Sequence, residues 1–238
     1  METKRNIRTA GAGLFVALGL FALGLTLRSA IIDFKSTERV VSVKGLSEKE
    51  VDADKVIWPL MYKEIGNDLS AIYQQLEIKQ SKIIEFLKTN GLTDEEISLT
   101  APEIIDLQAE RYQSDRTPYR YNVTAVITVT SNQVERVRNL ILRQTDLLKH
   151  DIAITSGDYR YSTQYLFTKL NEVKPTMIEE ATKNAREAAN KFAHDSGSDL
   201  GKIKTAYQGQ FSINDRDANT PHIKTVRVVT TIEYYLKD

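Results

Sequence analysis

Two periodicities alternate along this chain. Apolar side chains that recur at every second residue mark strands, and those that recur at every third or fourth mark helices. The longest helical stretch lies between Tyr165 and Gly201, where a polar connector leads into a stripe of Ile178, Ala181, Ala185, Ala188 and Phe192. The stripe is mostly alanine, which predicts close approach to whatever it covers. Glu179 and Lys183, then Glu187 and Lys191, set acid–base pairs four apart on the other face, and Gly197 suits the positive φ at which many helices end. Asp68–Asn90 predicts a second amphipathic helix through Leu69, Ile72, Leu76, Ile83 and Leu87, with Asn67 placed to cap it and Gly91 after it. Asn132 and Glu135 have the spacing of a capping box for a third, running to about Lys149 with Val134, Val137, Leu140, Ile141 and Leu148 inward.

The strands fall between these helices. Arg39–Lys44 and Val51–Ile65 come first, the latter with Trp58, Leu60 and Tyr62 on one face and Ile57, Pro59, Met61 and Ile65 on the other. Apolar residues on both faces predict a strand covered on both sides. Pro59 lacks a backbone donor, which predicts an edge position or a bulge there. Ile97–Tyr112 alternates around Pro102, and Tyr119–Thr130 alternates most cleanly, with Tyr119, Tyr121, Val123, Ala125, Ile127 and Val129 on one face. Ile152–Thr155 and Tyr159–Phe167 precede the long helix. Lys202–Ile213 (Ile203, Tyr207, Phe211 and Ile213 together) and Ile223–Leu236 (Val226, Val228, Ile232, Tyr234 and Leu236 together) close the chain, joined by the polar loop Asn214–His222. The order ββα, ββα, ββα, ββ predicts an α+β fold of repeated ββα units, forming antiparallel sheets with helices packed on one face. Residues 38–238 make this body, with lobes expected over 38–131 and 132–238.

The beginning of the chain breaks both patterns. Lys4, Arg5 and Arg8 precede Ala10–Leu27, eighteen residues without a charge, and Arg28 closes the run. As a helix this run spans about 27 Å, close to the roughly 30 Å hydrocarbon core of a bilayer. Signal cleavage wants small residues at −3 and −1; cutting after Ala30 puts Arg28 at −3, and cutting after Ser29 puts Leu27 there. The expected reading is an uncleaved signal anchor over residues 10–28. Residues 1–9 are then held in the cytoplasm by their positive charge, 29–37 form a spacer, and the body lies in the periplasm.

Composition narrows the chemistry. Of 238 residues, 41% are hydrophobic and 27% charged, as in an ordinary folded protein. Four of the 32 basic side chains but one of the 32 acids lie in the first 30 residues, so the rest carries a net charge of about −3. A mildly acidic body without a basic stripe argues against a nucleic-acid partner. There is no cysteine, which excludes disulfides, thiol nucleophiles and thiolate metal sites. The three histidines, His150, His194 and His222, lie in separate elements, so no metal-ligand spacing arises. His194-Asp195-Ser196 holds triad letters, but at a helix end rather than in triad geometry. Asp52 and Asp54 share a strand face and offer a cation pair, although a solvated strand start explains them as well. No glycine-rich phosphate loop occurs. The candidate interface or ligand face is Tyr159, Tyr161 and Tyr165 on one strand, beside Lys169, Asn171 and Lys174 at a helix start, where free N–H groups favour anions but structural capping is the stronger reading. No catalytic residue, cofactor or metal is expected.

Four segments carry a family resemblance: Val41–Asp68, Tyr165–Ile203, Tyr207–Ile213 and Lys224–Leu236, with Trp58-Pro59 and Leu166-Phe167-Thr168 the most specific parts. Together they resemble the SIMPL-domain family, and within it a branch of membrane-anchored bacterial periplasmic proteins. The resemblance implies an α+β fold of repeated ββα character and, in some members, large ring- or channel-like oligomers. The family has no agreed catalytic site, so no catalytic residue carries over. The functional expectation is a non-catalytic, inner-membrane-anchored periplasmic protein acting as a homo-oligomeric envelope scaffold or interaction module. A binder of a small molecule or cation in envelope stress is the alternative, and a hydrolase with a dispersed site ranks last.

Overall fold

The computed structural model describes residues 17–31, 39–109, 118–155 and 157–237. A helix α1 (residues 17–31), exposed along its whole length, is followed by β1 (Val40–Asp52), β2 (Lys55–Gly66), α2 (Leu69–Thr89), β3 (Ile97–Leu99) and β4 (Glu103–Asp106). Then come β5 (Tyr121–Ser131), α3 (Val134–Arg143), β6 (Gln164–Leu166), α4 (Leu170–Asp195), β7 (Asp199–Gln208), β8 (Ser212–Asp215) and β9 (Ile223–Lys237). The fold is α+β with antiparallel sheets and four described helices, but the strand pairs do not repeat as ββα units. Where a third strand pair is expected, Thr155 makes one isolated bridge to Met61, Tyr159–Tyr161 is a 3-10 turn, and only Gln164–Leu166 is extended.

Two compact units divide the chain. One takes the described parts of Met1–Glu48, Lys174–Phe211 and Arg227–Asp238; the other takes Lys49–Val173 and Ser212–Val226. β1, α4 and β9 each run from one unit into the other.

The core of the second unit is built on β2 and β5, paired in unbroken register from Val56 opposite Ser131 to Gly66 opposite Tyr121. The alternation read from sequence holds: Trp58, Leu60 and Tyr62 meet Val123, Ala125, Ile127 and Val129 in one buried cluster. Ile72, Leu76, Ile83 and Leu87 of α2 and Val137 and Leu140 of α3 close over it. Burial pushes the Tyr62 phenol up to about 12, with Glu64 adding to the rise. β3 and β4 both pair with β5, and β6 pairs with β2. β2 is therefore flanked on both sides and is not an edge. Pro59 is accommodated because its neighbour is interrupted: β6 pairs only Lys55–Ile57, and the next contact on that side is the Thr155 N–H to the Met61 carbonyl at 2.8 Å. Pro59 has the same parity as Met61, so its missing donor faces that gap.

Local caps differ from the expected ones. Asp68, not Asn67, caps α2, accepting from the Ser70 N–H at 2.8 Å, while Asn67 accepts from the Arg120 N–H at 2.8 Å. Asn132–Glu135 forms no capping box; α3 starts after Gln133, whose N–H goes to the Ser131 hydroxyl at 3.0 Å. A capping box does form at Thr93 and Glu96, ahead of β3.

In the first unit, α4 covers β1 and β9. The buried stripe is Met177, Ala181, Ala185, Ala189 and Ala193. It agrees with the expected stripe at Ala181 and Ala185 and then departs from it: Ala188 is only half-buried and Phe192 is 63% exposed. A spacing of four drifts around the helix, so the face that follows a twisted sheet moves off the strict three-four rows. Close approach is real. A Cβ on Gly45 of β1 would lie 1.8 Å from the Ala181 carbonyl oxygen. Ser47 and Asn184 tie the same contact, the Ser47 hydroxyl to Glu180 at 2.7 Å and the Asn184 amide to the Leu46 carbonyl at 2.8 Å. The ion pair observed on the exposed side joins Lys183 to Glu187 at 4.0 Å.

Lys202–Ile213 is not one strand with one apolar face. β7 shifts register between Leu200 and Ile203 and again between Ile203 and Thr205, so Ile203 lies opposite Tyr234 while Tyr207 lies opposite Thr231. Each irregularity turns the following side chains to the other face.

No helix among the described residues is long and apolar enough to cross a membrane. The first seven positions of the expected span, Ala10 to Val16, lie outside the described residues, as do residues 1–9 and most of the spacer.

Candidate functional site

The residues singled out from sequence converge on the segment that leads into α4. Asp54, in the connection between β1 and β2, holds the two residues just before the helix: its carboxylate accepts the Thr168 N–H at 2.9 and 3.0 Å, the Thr168 hydroxyl at 3.0 Å and the Lys169 N–H at 3.0 Å. The Asp54 N–H returns a bond to the Leu166 carbonyl at 2.9 Å. The entry to the helix beside Lys169 is thus capped from within the chain, and Asp54 holds that segment. Lys169, Asn171 and Lys174 present exposed side chains, the Lys174 ammonium lying 6.0 Å from the Phe211 ring centroid.

The three tyrosines do not form one strand face. Tyr159 and Tyr161 sit in the 3-10 turn, which Asp158 caps through the Arg160 N–H at 3.0 Å. Tyr159 is 88% exposed, whereas Tyr161 is half-buried with the Arg160 guanidinium 5.3 Å over its ring. Arg160 also pairs with Asp158 at 2.8 Å, and its hydrogen bonds hold that carboxyl below the usual carboxylate range. Tyr165, opposite Val56 in β6, packs on the core, and His222 meets it edge-on at 6.1 Å. Burial raises its phenol. The His222 carbonyl accepts the Ala53 N–H at 2.8 Å, so this end of the second unit is knit by backbone bonds.

Candidate chemistry elsewhere is similarly occupied. His194 reaches Asp195 at 3.6 Å on an open surface, while the Ser196 hydroxyl donates to the Ala193 carbonyl at 3.0 Å, so the three do not form a relay. Among the described residues no group of His, Cys, Asp and Glu has the geometry to hold a metal ion. The polar loop before β9 is closely bonded: Asp217 accepts the Asn219 and Thr220 N–H groups at 2.8 Å, and Arg216 pairs with Asp217 at 3.1 Å and Glu50 at 3.4 Å. The Thr220 hydroxyl, the Asn219 N–H and Arg216 bring the Asp217 carboxyl down to about 2.

Two cavities in the second unit have no assigned occupant. One, of about 460 Å³, lies at the end of α2 and is lined by Lys82, Glu85, Phe86, Arg143, Asp146 and His150 among others. The other, of about 190 Å³, is almost wholly apolar and is lined by Leu69, Ile72, Tyr73, Leu76, Pro102 and Ile104 with Val123. Their linings come from helix ends and strands far apart in sequence, so no local spacing announces them.

A family model described as SIMPL, protein of unknown function (DUF541), matches residues 41–234. No curated protein matches the chain.

Proposed function

This chain belongs to the SIMPL family, and from that premise we propose that it is a non-catalytic interaction module, a homo-oligomeric scaffold of the cell envelope. In this reading residues 10–28 anchor it in the inner membrane, with the N-terminus cytoplasmic and the body periplasmic. One observation carries the proposal. The polar groups that a site would need are engaged in caps and turns, as with Asp54, Asp158 and Asp217, while large apolar side chains stand in solvent. Phe192 is 63% exposed, Tyr207 69% and Ile203 51%. Removing such groups from water against another chain is favourable, at roughly 25 cal/mol per Å² of apolar surface buried. The measurement is the mass of the native full-length protein extracted in mild detergent. A defined multiple of the chain mass is expected, and a strictly monomeric mass overturns the scaffold reading.

The cleft lined by Lys82, Glu85, Arg143, Asp146 and His150 favours a second reading, binding of a small charged molecule. Its volume, about 460 Å³, is within the roughly 300–1,000 Å³ typical of ligand pockets. A monomeric mass together with a ligand-dependent rise in Tm would select this reading over the first.

A further inference from the structure

The edges of the two sheets are treated differently. In the second unit one edge is made of two pieces, β3 and β4, three and four residues long, with Thr100 turned onto the Val126 carbonyl between them. The opposite edge is β6, three residues, followed by the single Thr155 bridge. The β7 edge of the other sheet is bent by its two register shifts. Short, interrupted and bulged strands are the usual protections against pairing with another chain. β1 is neither short nor interrupted. It runs for thirteen residues, stands at the end of its sheet, and has no described strand on its outer side.

We propose that β1 is where two copies of this chain join, its outer edge pairing antiparallel with β1 of the second copy about a two-fold axis at Leu46. The inference rests on the scaffold reading and names its interface. Leu236 donates to the Arg39 carbonyl from β9, and Glu48 faces Arg227 across the same pair at 4.0 Å. Backbone groups alternate along a strand, so those of Val40, Ser42, Lys44, Leu46 and Glu48 point outward. The Leu46 carbonyl, met by Asn184 instead of a strand, confirms this parity and keeps a second lone pair for a partner. Charge then selects the register. An axis at Lys44 opposes lysine to lysine, and one at Glu48 opposes glutamate to glutamate. An axis at Leu46 lays Leu46, 41% exposed, against its copy and matches Lys44 with Glu48 on both sides, the favourable arrangement for a cross-strand pair.

The absence of cysteine in the chain makes the test direct. Leu46→Cys in the full-length protein, oxidised in mild detergent, is expected to give a covalent dimer. Facing Cα atoms in such a pair lie about 5.5 Å apart, within the roughly 4.4–6.8 Å that a disulfide spans. Gln75→Cys, at an exposed position of α2, is expected to give none. Lys44→Glu should weaken dimerisation about tenfold, and adding Glu48→Lys should restore it. An oligomeric protein that neither cross-links at position 46 nor responds to Lys44→Glu overturns the β1 interface and leaves the scaffold reading standing. Loss in Lys44→Glu without rescue by the double exchange assigns the edge to a different extended partner and also overturns the pairing. A monomeric wild-type protein overturns both.

Discussion

Two carboxylates in this chain hold the backbone of segments that begin a helix and a hairpin. Asp54 receives three groups at the entry to α4, and Asp217 receives two N–H groups and a hydroxyl in the turn before β9. The role of Asp54 is not written locally in the sequence. The partners of Asp54 lie 114 and 115 positions away, so its spacing to Asp52 gives only the cation-pair alternative. Asp217 is nearer its partners, and an Asp followed by Asn and Thr in a polar loop is a turn signal. The Asp217 carboxyl titrates at about 2 in the folded chain, against about 3.9 unfolded. Its contribution is fully present above pH 4 and is lost as the pH falls through 2. NMR of the Asn219 and Thr220 amides between about pH 5 and 1 should show the turn opening with a midpoint near 2. Asp217→Asn should abolish that titration, and amides that stay unchanged across the range in the native chain would contradict the assignment.

At the scale of elements, alternation was the most legible property. β2, β5 and α2 present the faces their patterns predict, because each packs on one continuous core where period and burial coincide. Legibility failed where geometry departs from the ideal period. The irregularity in β7 between Ile203 and Thr205 separates Ile203 from Tyr207, and the 3-10 turn at Tyr159–Tyr161 disperses a face that strand alternation would have gathered. In α4 the stripe was read correctly as small and close-packed but one position early at Ala188. Ala189, fully buried against Val43 and Ile232 in the first unit's core, is the position that reports on the seam. Ala189→Leu should overpack it and cost about 1–3 kcal/mol. Lys191→Leu, on an exposed position, should change stability by less than about 0.5 kcal/mol. Chemical denaturation of both variants distinguishes them, and equal small losses would mean that another face is buried.

At the scale of the molecule, the family was legible in segments such as Trp58-Pro59 and Leu166-Phe167-Thr168, and the match over residues 41–234 agrees. The candidate face was not, since its members are joined by turns and long-range bonds rather than by one strand. In the proposed reading membrane topology rests on residues 10–28, whose uncharged stretch 10–27 lies between Lys4, Arg5 and Arg8 on one side and Arg28 on the other. Protease added outside spheroplasts should therefore digest the body and leave a small membrane-bound stub. Release of a soluble body beginning near residue 30 would instead identify a cleaved signal.

The division into units also sets an order of events during synthesis. The second unit draws its core from one continuous stretch, Lys49–Val173, so β2, α2, β5 and α3 can gather while the rest of the chain is still being made. The sheet of the first unit cannot. Its central strand is β9, which follows the other described strands in the chain, while β1 precedes them. Until β9 emerges, β1 lacks its strand neighbour, and the alanine stripe of α4 has only half its seat. A nascent chain therefore carries β1 with both edges open until β9 is made, and the long loop that β9 must close slows their pairing.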